Sequence, residues 1–258
     1  MFATTAPLLV RLAVFLGIGI AAGISNGIAG GGTFLTFPTL LGMGIPSLVA
    51  NVSSTVGVVP SYIGGIRGFK DQLKNHGKLV RSTLPYCFLG TGAGCTLLLT
   101  GSSATFSQVV PYLIGFGTII FACAPLITKR LSHIEHDHVG RKWTFFIGIF
   151  LISVYGGYFG AGLGILLLAV MAVSLPFEMQ ELQGLRNLLS IIINAMAATV
   201  FLIRGHLNWT AVSMLLIGTL IGGVIGTFVI KKVSPNVVRA IIVVIGGVTT
   251  IHLILKAK

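Results

Sequence analysis

The chain has 258 residues, of which 54% are hydrophobic and only 9% charged, with 35 glycines, a formal charge of +12 and a mean hydropathy of +0.99. An ordinary soluble domain carries roughly 25% charged residues, so a soluble core is excluded. Spans of about 20 apolar residues each use up the whole length and leave no room for a separate soluble catalytic domain.

In chain order, the first apolar run, Pro7 to Ala29, has no basic stretch before it and continues past any cleavage point, which predicts a retained membrane helix and no cleaved signal peptide. Further runs cover Thr33 to Pro46, Leu48 to Ile66, Leu79 to Thr100, Phe106 to Thr128, Trp143 to Gly160, Gly162 to Leu175, Leu182 to Ile203, Thr210 to Ile230 and Val237 to Leu255. The expected fold is an all-α polytopic membrane protein of 8 to 10 transmembrane or re-entrant helices. Two runs, Thr33 to Pro46 and Gly162 to Leu175, have 14 residues each, about 21 Å of helix against a hydrocarbon core of roughly 30 Å. Each follows a Gly cluster and ends at a proline.

That coincidence points to an internal repeat. A shift of 130 places Gly27 on Gly157, Gly30 on Gly160, Gly32 on Gly162 and Pro46 on Pro176. Slightly larger shifts carry Ser54 to Asn187, and Gly90 and Gly94 to Gly222 and Gly226. The expected organisation is a first membrane repeat over 1–130, a cytoplasmic linker over 131–142 and a second membrane repeat over 143–258. Short or Gly-interrupted spans at matching positions mark a transporter binding site, because backbone amides at a helix break cannot stay bare in hydrocarbon and must face protein, water or a ligand.

Most Lys and Arg fall between the apolar runs, where they set topology and meet anionic lipid. The charge therefore does not mark a nucleic-acid partner. Arg67, Lys70, Lys74, Lys78 and Arg81 occupy one gap and Lys129, Arg130, Arg141 and Lys142 another, whereas the gap from Gly101 to Thr105 has no cation. Positive loops stay cytoplasmic, which leaves the Gly101 loop and the N-terminus outside and makes the two repeats inverted. Lys231 and Lys232 then fall inside. Lys256 and Lys258 fall outside, against the rule, and eight spans with re-entrant short pieces would change the side of the C-terminus.

The first candidate site element is SNGIAGGGTFLTFP, Ser25 to Pro38. A helix start after glycines offers free N–H groups and a positive dipole end, which suit an anion. Glycine in membrane helices also serves close packing, but the run Gly30, Gly31, Gly32 ahead of Thr33 would weaken a packing helix. It is neither a Walker loop nor a Rossmann fingerprint. The second element groups Asn51, Ser53, Ser54 and Thr55, whose hydroxyls can alternatively bond their own helix, with Pro60 expected to kink that helix. In the second half, Gly160 and Gly162 precede the short run. The following helix then carries Gln183, Arg186, Asn187, Ser190 and Asn194, with Arg186, Ser190 and Asn194 on one face. An intramembrane arginine defaults to function and its planar fork suits oxyanions; snorkelling, or pairing with Glu178 or Glu181, is the structural alternative.

None of the five carboxylates, Asp71, Glu135, Asp137, Glu178 and Glu181, lies deep in an apolar run, which disfavours a buried proton relay and leaves Glu178 and Glu181 as the candidates for coupling. The loop holding His133, Glu135, His136, Asp137 and His138 invites a metal reading, against which a polar cytoplasmic loop is preferred. Cys87, Cys95 and Cys123 have no ligand spacing and read as packing or lipid-facing residues. His206 and His252 are given no role, and Asn208 begins a glycosylation sequon. With no metal set and no nucleophile and base at depth, no enzyme and no cofactor are expected.

The stretches GIAGGGTFLTFP, ANVSSTVGVVPSYIGGIRGF, GGYFGAGLGILLL, LRNLLSIIINAMAATVF, GTGAGCTLLL and GTLIGGVIGTFVIKKVSP together resemble the TauE/SafE sulfite exporter family, also called the TSUP permeases, over nearly the whole chain. The resemblance implies a multi-pass protein of a bacterial or archaeal inner membrane that moves sulfite, sulfoacetate, thiosulfate, taurine-related sulfonates or similar anions. By motif position it carries the family's elements to Gly30 to Thr33, Asn51 to Thr55, Gly160 to Gly164 and Arg186 to Asn194. The expected function is a secondary transporter of a small anion by alternating access, as a monomer or homodimer in the bilayer, with an anion channel or a permease for another small organic acid as the alternative.

Overall fold

The structure is a computed structural model and describes residues 7–28, 30–62, 76–131, 141–229 and 234–256. The described residues are almost wholly helical: α1 Leu8–Ile28, α2 Thr33–Gly42, α3 Ser47–Val58 with a 3-10 turn Val59–Tyr62, α4 Gly77–Thr100, α5 Ser103–Leu131, α6 Arg141–Tyr158, α7 Leu163–Ser174, α8 Met179–Arg204, α9 Trp209–Val229 and α10 Pro235–Lys256. Six of these, α1, α4, α5, α8, α9 and α10, are long and apolar enough to cross a membrane. Leu, Ile, Val and Phe side chains on their outer faces are broadly exposed, and Trp143 and Trp209 stand exposed near helix starts, as lipid-facing and interfacial residues do. The chain is a multi-pass membrane protein.

The two short runs are shorter than their apolar stretches. Helix α2 has 10 residues and α7 has 12, about 15 and 18 Å. The first stops at Gly42 because Gly44 turns the chain at φ 79°. Pro46, expected at the end of that run, instead caps the start of α3, where its missing N–H costs nothing. Pro60 does not simply kink a continuous helix: the α-helix ends at Val58 and the proline sits in the tighter 3-10 turn.

Close backbone packing explains the spaced glycines of α1, α4 and α9. Gly19, Gly23 and Gly27 of α1 meet Gly218, Gly222 and Gly226 of α9 in the same direction, and a Cβ on Gly222 would lie 2.1 Å from the Ile20 carbonyl oxygen. Gly90 and Gly94 of α4 meet Ser153, Val154 and Gly157 of α6 in the same way, with a Cβ on Gly94 2.1 Å from the Val154 oxygen. Small residues at four-residue spacing let helices approach in lipid, where apolar surface alone gives them no reason to associate.

These pairings exchange between the halves. The first helix of each half packs on the fourth of the other, α1 on α9 and α6 on α4. The third likewise packs on the fourth of the other, α3 on α9 and α8 on α4, while third meets third and fifth meets fifth. The fifth helices run antiparallel, since Gly115 lies beside Thr250 and Gly246 beside Thr118. At the centre, Phe34 of α2 meets Phe121 edge-on at 5.6 Å, and Phe37 meets Phe159 at 5.5 Å.

Candidate functional site

The start of α2 is built by the residues just before it. The Ser25 hydroxyl donates to the Gly30 carbonyl at 3.0 Å, the Gly30 amide donates back to the Ser25 carbonyl, and Gly30 and Gly31 turn the chain at φ 80° and 83°, a region that side chains disfavour. The Asn26 carboxamide oxygen then accepts from the Gly32 amide at 2.6 Å, while its nitrogen donates to the Ser61 hydroxyl at 2.7 Å. Asn26 thus ties the end of α1 to the start of α2 and to the 3-10 turn.

The start of α7 is built differently. Gly160 and Gly162 lie at φ 76° and 78°, and the Tyr155 hydroxyl donates to the Ala161 carbonyl at 2.6 Å. Neither helix start has a side-chain cap. The amides of Gly31 and Thr33 at one start, and of Gly162 and Gly164 at the other, have no hydrogen-bond partner among the described residues.

Both starts open on one small cleft with a cavity volume of about 20 Å³. Gly30, Gly31 and Thr33 line it from the first half and Gly160, Gly162 and Gly164 from the second, with Arg186, Asn187 and Ser190 of α8 beside them. Arg186 stands about two turns inside its helix, and its stem lies over the first turn of α7, 3.5 Å from where a Cβ on Gly164 would be. Its guanidinium donates to the Asn187 side-chain oxygen at 3.0 Å, which leaves the Asn187 amide nitrogen as a donor. Pairing with Glu178 or Glu181 does not occur. Glu181 receives His76 Nε2 at 3.1 Å and, with Glu178, forms the capping box that starts α8.

Of the residues singled out in the sequence, the cleft gathers Gly30, Gly31, Thr33, Gly160, Gly162, Arg186, Asn187 and Ser190. Gly32 sits behind it, its amide held by Asn26. Asn51, Ser53, Ser54 and Thr55 are buried but turned to other helices or their own. Asn51 donates to the Tyr158 carbonyl at 3.0 Å, Ser53 receives the Asn208 amide at 3.0 Å, Ser54 pairs with Thr36 at 2.5 Å, and Thr55 bonds the Asn51 carbonyl. Gln183 is partly buried outside the cleft. Asn194 turns back on the Ser190 carbonyl at 2.8 Å, although it shares a helical face with Arg186.

Asn26 and Tyr62 also line the cleft and carried no sequence signal of their own. Asn26 sits inside the Gly-rich motif, where the need to satisfy an amide in hydrocarbon could have marked it. Tyr62 enters the lining from the end of the 3-10 turn. Asn208 is a helix cap, its side chain accepting from the Ala211 amide at 3.0 Å. Cys87 and Cys95 are buried free thiols. Among the described residues no cluster of His, Cys, Asp and Glu could hold a metal, and the histidine-rich loop, His133 to His138, lies outside them.

Two interrupted helices whose starts line one cleft, inside a multi-pass helical bundle, are features of membrane transporters. The chain matches the family described as Sulfite exporter TauE/SafE over residues 15–253, and it belongs to that family. It is 22% identical to a Haemophilus influenzae protein named "Probable membrane transporter protein", over 94% of each chain. It is also 22% identical to the Escherichia coli K12 protein named "Probable membrane transporter protein YfcA", over 96% of this chain and 90% of that one. No solved structure matches it.

Proposed function

We propose that this membrane transporter of the TauE/SafE family carries a small oxyanion, of the sulfur oxyanion or organosulfonate class, by alternating access around the cleft between α2, α7 and α8. The observation that carries the reading is the convergence of Arg186, which has no carboxylate partner among the described residues, with two helix starts that keep bare amides. Each start contributes about half a positive charge from its dipole, and an intramembrane guanidinium without a counter-ion calls for an anion. The family description supplies the sulfur chemistry. The exchange of helix contacts and the antiparallel fifth helices support two inverted repeats, 1–130 and 143–258, as the bodies that rock. A bacterial or archaeal inner membrane is the proposed location.

Flux of labelled sulfite and thiosulfate into proteoliposomes tests this. Arg186→Gln and Asn187→Ala, each checked for folding by thermal melting, are expected to lower the flux at least about tenfold, as loss of charge-assisted hydrogen bonds in a desolvated site would. Unchanged flux in both would remove the cleft from the transport path. Counterflow of labelled against unlabelled anion separates a carrier from a channel.

A further inference from the structure

The cleft's hydrogen-bonding groups are unevenly used. Its acceptors are engaged: the Gly30 carbonyl by Ser25, the Gly31, Gly160 and Gly162 carbonyls by amides of the following helix turns, and the side-chain oxygens of Asn26 and Asn187 by Gly32 and Arg186. Its donors are open. Beside the four bare amides, the hydroxyls of Thr33 and Ser190, residues only 6% and 3% exposed, have no partner among the described residues and line the cleft from opposite halves. The Tyr62 hydroxyl is unpartnered in the same way. These hydroxyls are free to donate to a ligand in the cleft, as the four amides are.

The charge balance points the same way. One guanidinium and two helix starts amount to about two positive charges, and no carboxylate among the described residues lines the cleft. We infer that the cleft selects the fully deprotonated, doubly charged form of a small oxyanion and rejects sulfonates that carry an ammonium group. A dianion presents only acceptors and matches the charge. A protonated anion would leave part of the cleft's positive charge unmatched, and a zwitterion would set its ammonium beside a like charge. The inference rests on the anion reading above and narrows it.

The test is binding of thiosulfate and sulfate (dianions), methanesulfonate (a monoanion) and taurine (a zwitterion) to the full-length protein in nanodiscs, by calorimetry at constant ionic strength. Thiosulfate and sulfate are expected to bind at least about tenfold more tightly than methanesulfonate, and taurine more weakly still, since one additional unit charge is read in a partly desolvated site. Arg186→Lys should keep that ratio and Arg186→Gln should bring it toward one. If Arg186→Gln does not fold, Ser190→Asp, which adds a negative charge to the cleft, should erase the preference instead. Methanesulfonate or taurine binding as tightly as thiosulfate overturns this inference and leaves the anion site standing. Failure of all four to bind overturns both.

Discussion

The two broken elements look alike in sequence and are put to different use. At the first, Asn26 fills one amide of the helix start and bonds onward to Ser61, while Ser54, Ser53 and the Asn51 amide nitrogen of α3 bond Thr36, Asn208 and Tyr158, leaving the Asn51 oxygen buried without a partner. At the second, the neighbouring helix turns Arg186, Asn187 and Ser190 into the cleft. The helix contacts exchange between the two halves, but among the described residues the side-chain charge in the cleft comes from one half only. A site between two similarly packed halves need not be symmetric, because the packing requires matched glycines while a ligand requires only converging donors.

Substitutions can break this comparison. The largest effect is expected for Gly94→Leu and Gly222→Leu. Their new side chains would run into neighbouring backbone, where even a Cβ comes within 2.1 Å, so each should cost about 3 kcal/mol or more. Because the two helix pairs correspond, both should lose folded protein to a similar extent in size-exclusion profiles. A large loss for one and none for the other would show that the halves are not mechanically equivalent.

Next comes Arg186→Gln, for which flux should fall by about tenfold or more with little change in melting temperature. Ser54→Ala, at the position that corresponds to the neighbouring Asn187, should leave flux within about twofold and instead lower stability by about 1 kcal/mol through the lost bond to Thr36. Equal flux defects in these two would mean that both halves bind the anion.

Asn26→Ala should be intermediate. Two buried hydrogen bonds disappear and the Gly32 amide loses its partner, an expected loss of about 1–3 kcal/mol visible in thermal melts, with flux falling less than for Arg186→Gln. The smallest contrast is between two serines. Ser53→Ala should lower stability by about 1 kcal/mol by orphaning the Asn208 amide, without changing transport, whereas Ser190→Ala should leave the melt unchanged and weaken anion binding a few-fold.

Much of the fold could be read from the chain. Apolar runs located the long helices to within a few residues, and the Gly clusters ahead of Thr33 and Leu163 marked both breaks, because a helix start in hydrocarbon leaves few alternatives for its amides. Arg186 was legible for the same reason, as a charge too costly to place idly. Asn51, Ser53, Ser54 and Thr55 were not separable from Asn187 and Ser190 by type or spacing. Both patches are polar faces of apolar helices, and only the packing decides whether such a face meets a cavity or another backbone.

The amino-acid sequence by itself determined a multi-pass helical chain with two matched interruptions, since hydrophobicity and glycine act locally along the chain. The tertiary structure alone decided that the interruptions meet in one cleft, that Glu181 pairs with His76 and not with Arg186, and that Asn26 and Tyr62 join the lining. Those outcomes depend on how helices distant in sequence cross and on which donors are left without partners once they have packed, and no single segment contains that information.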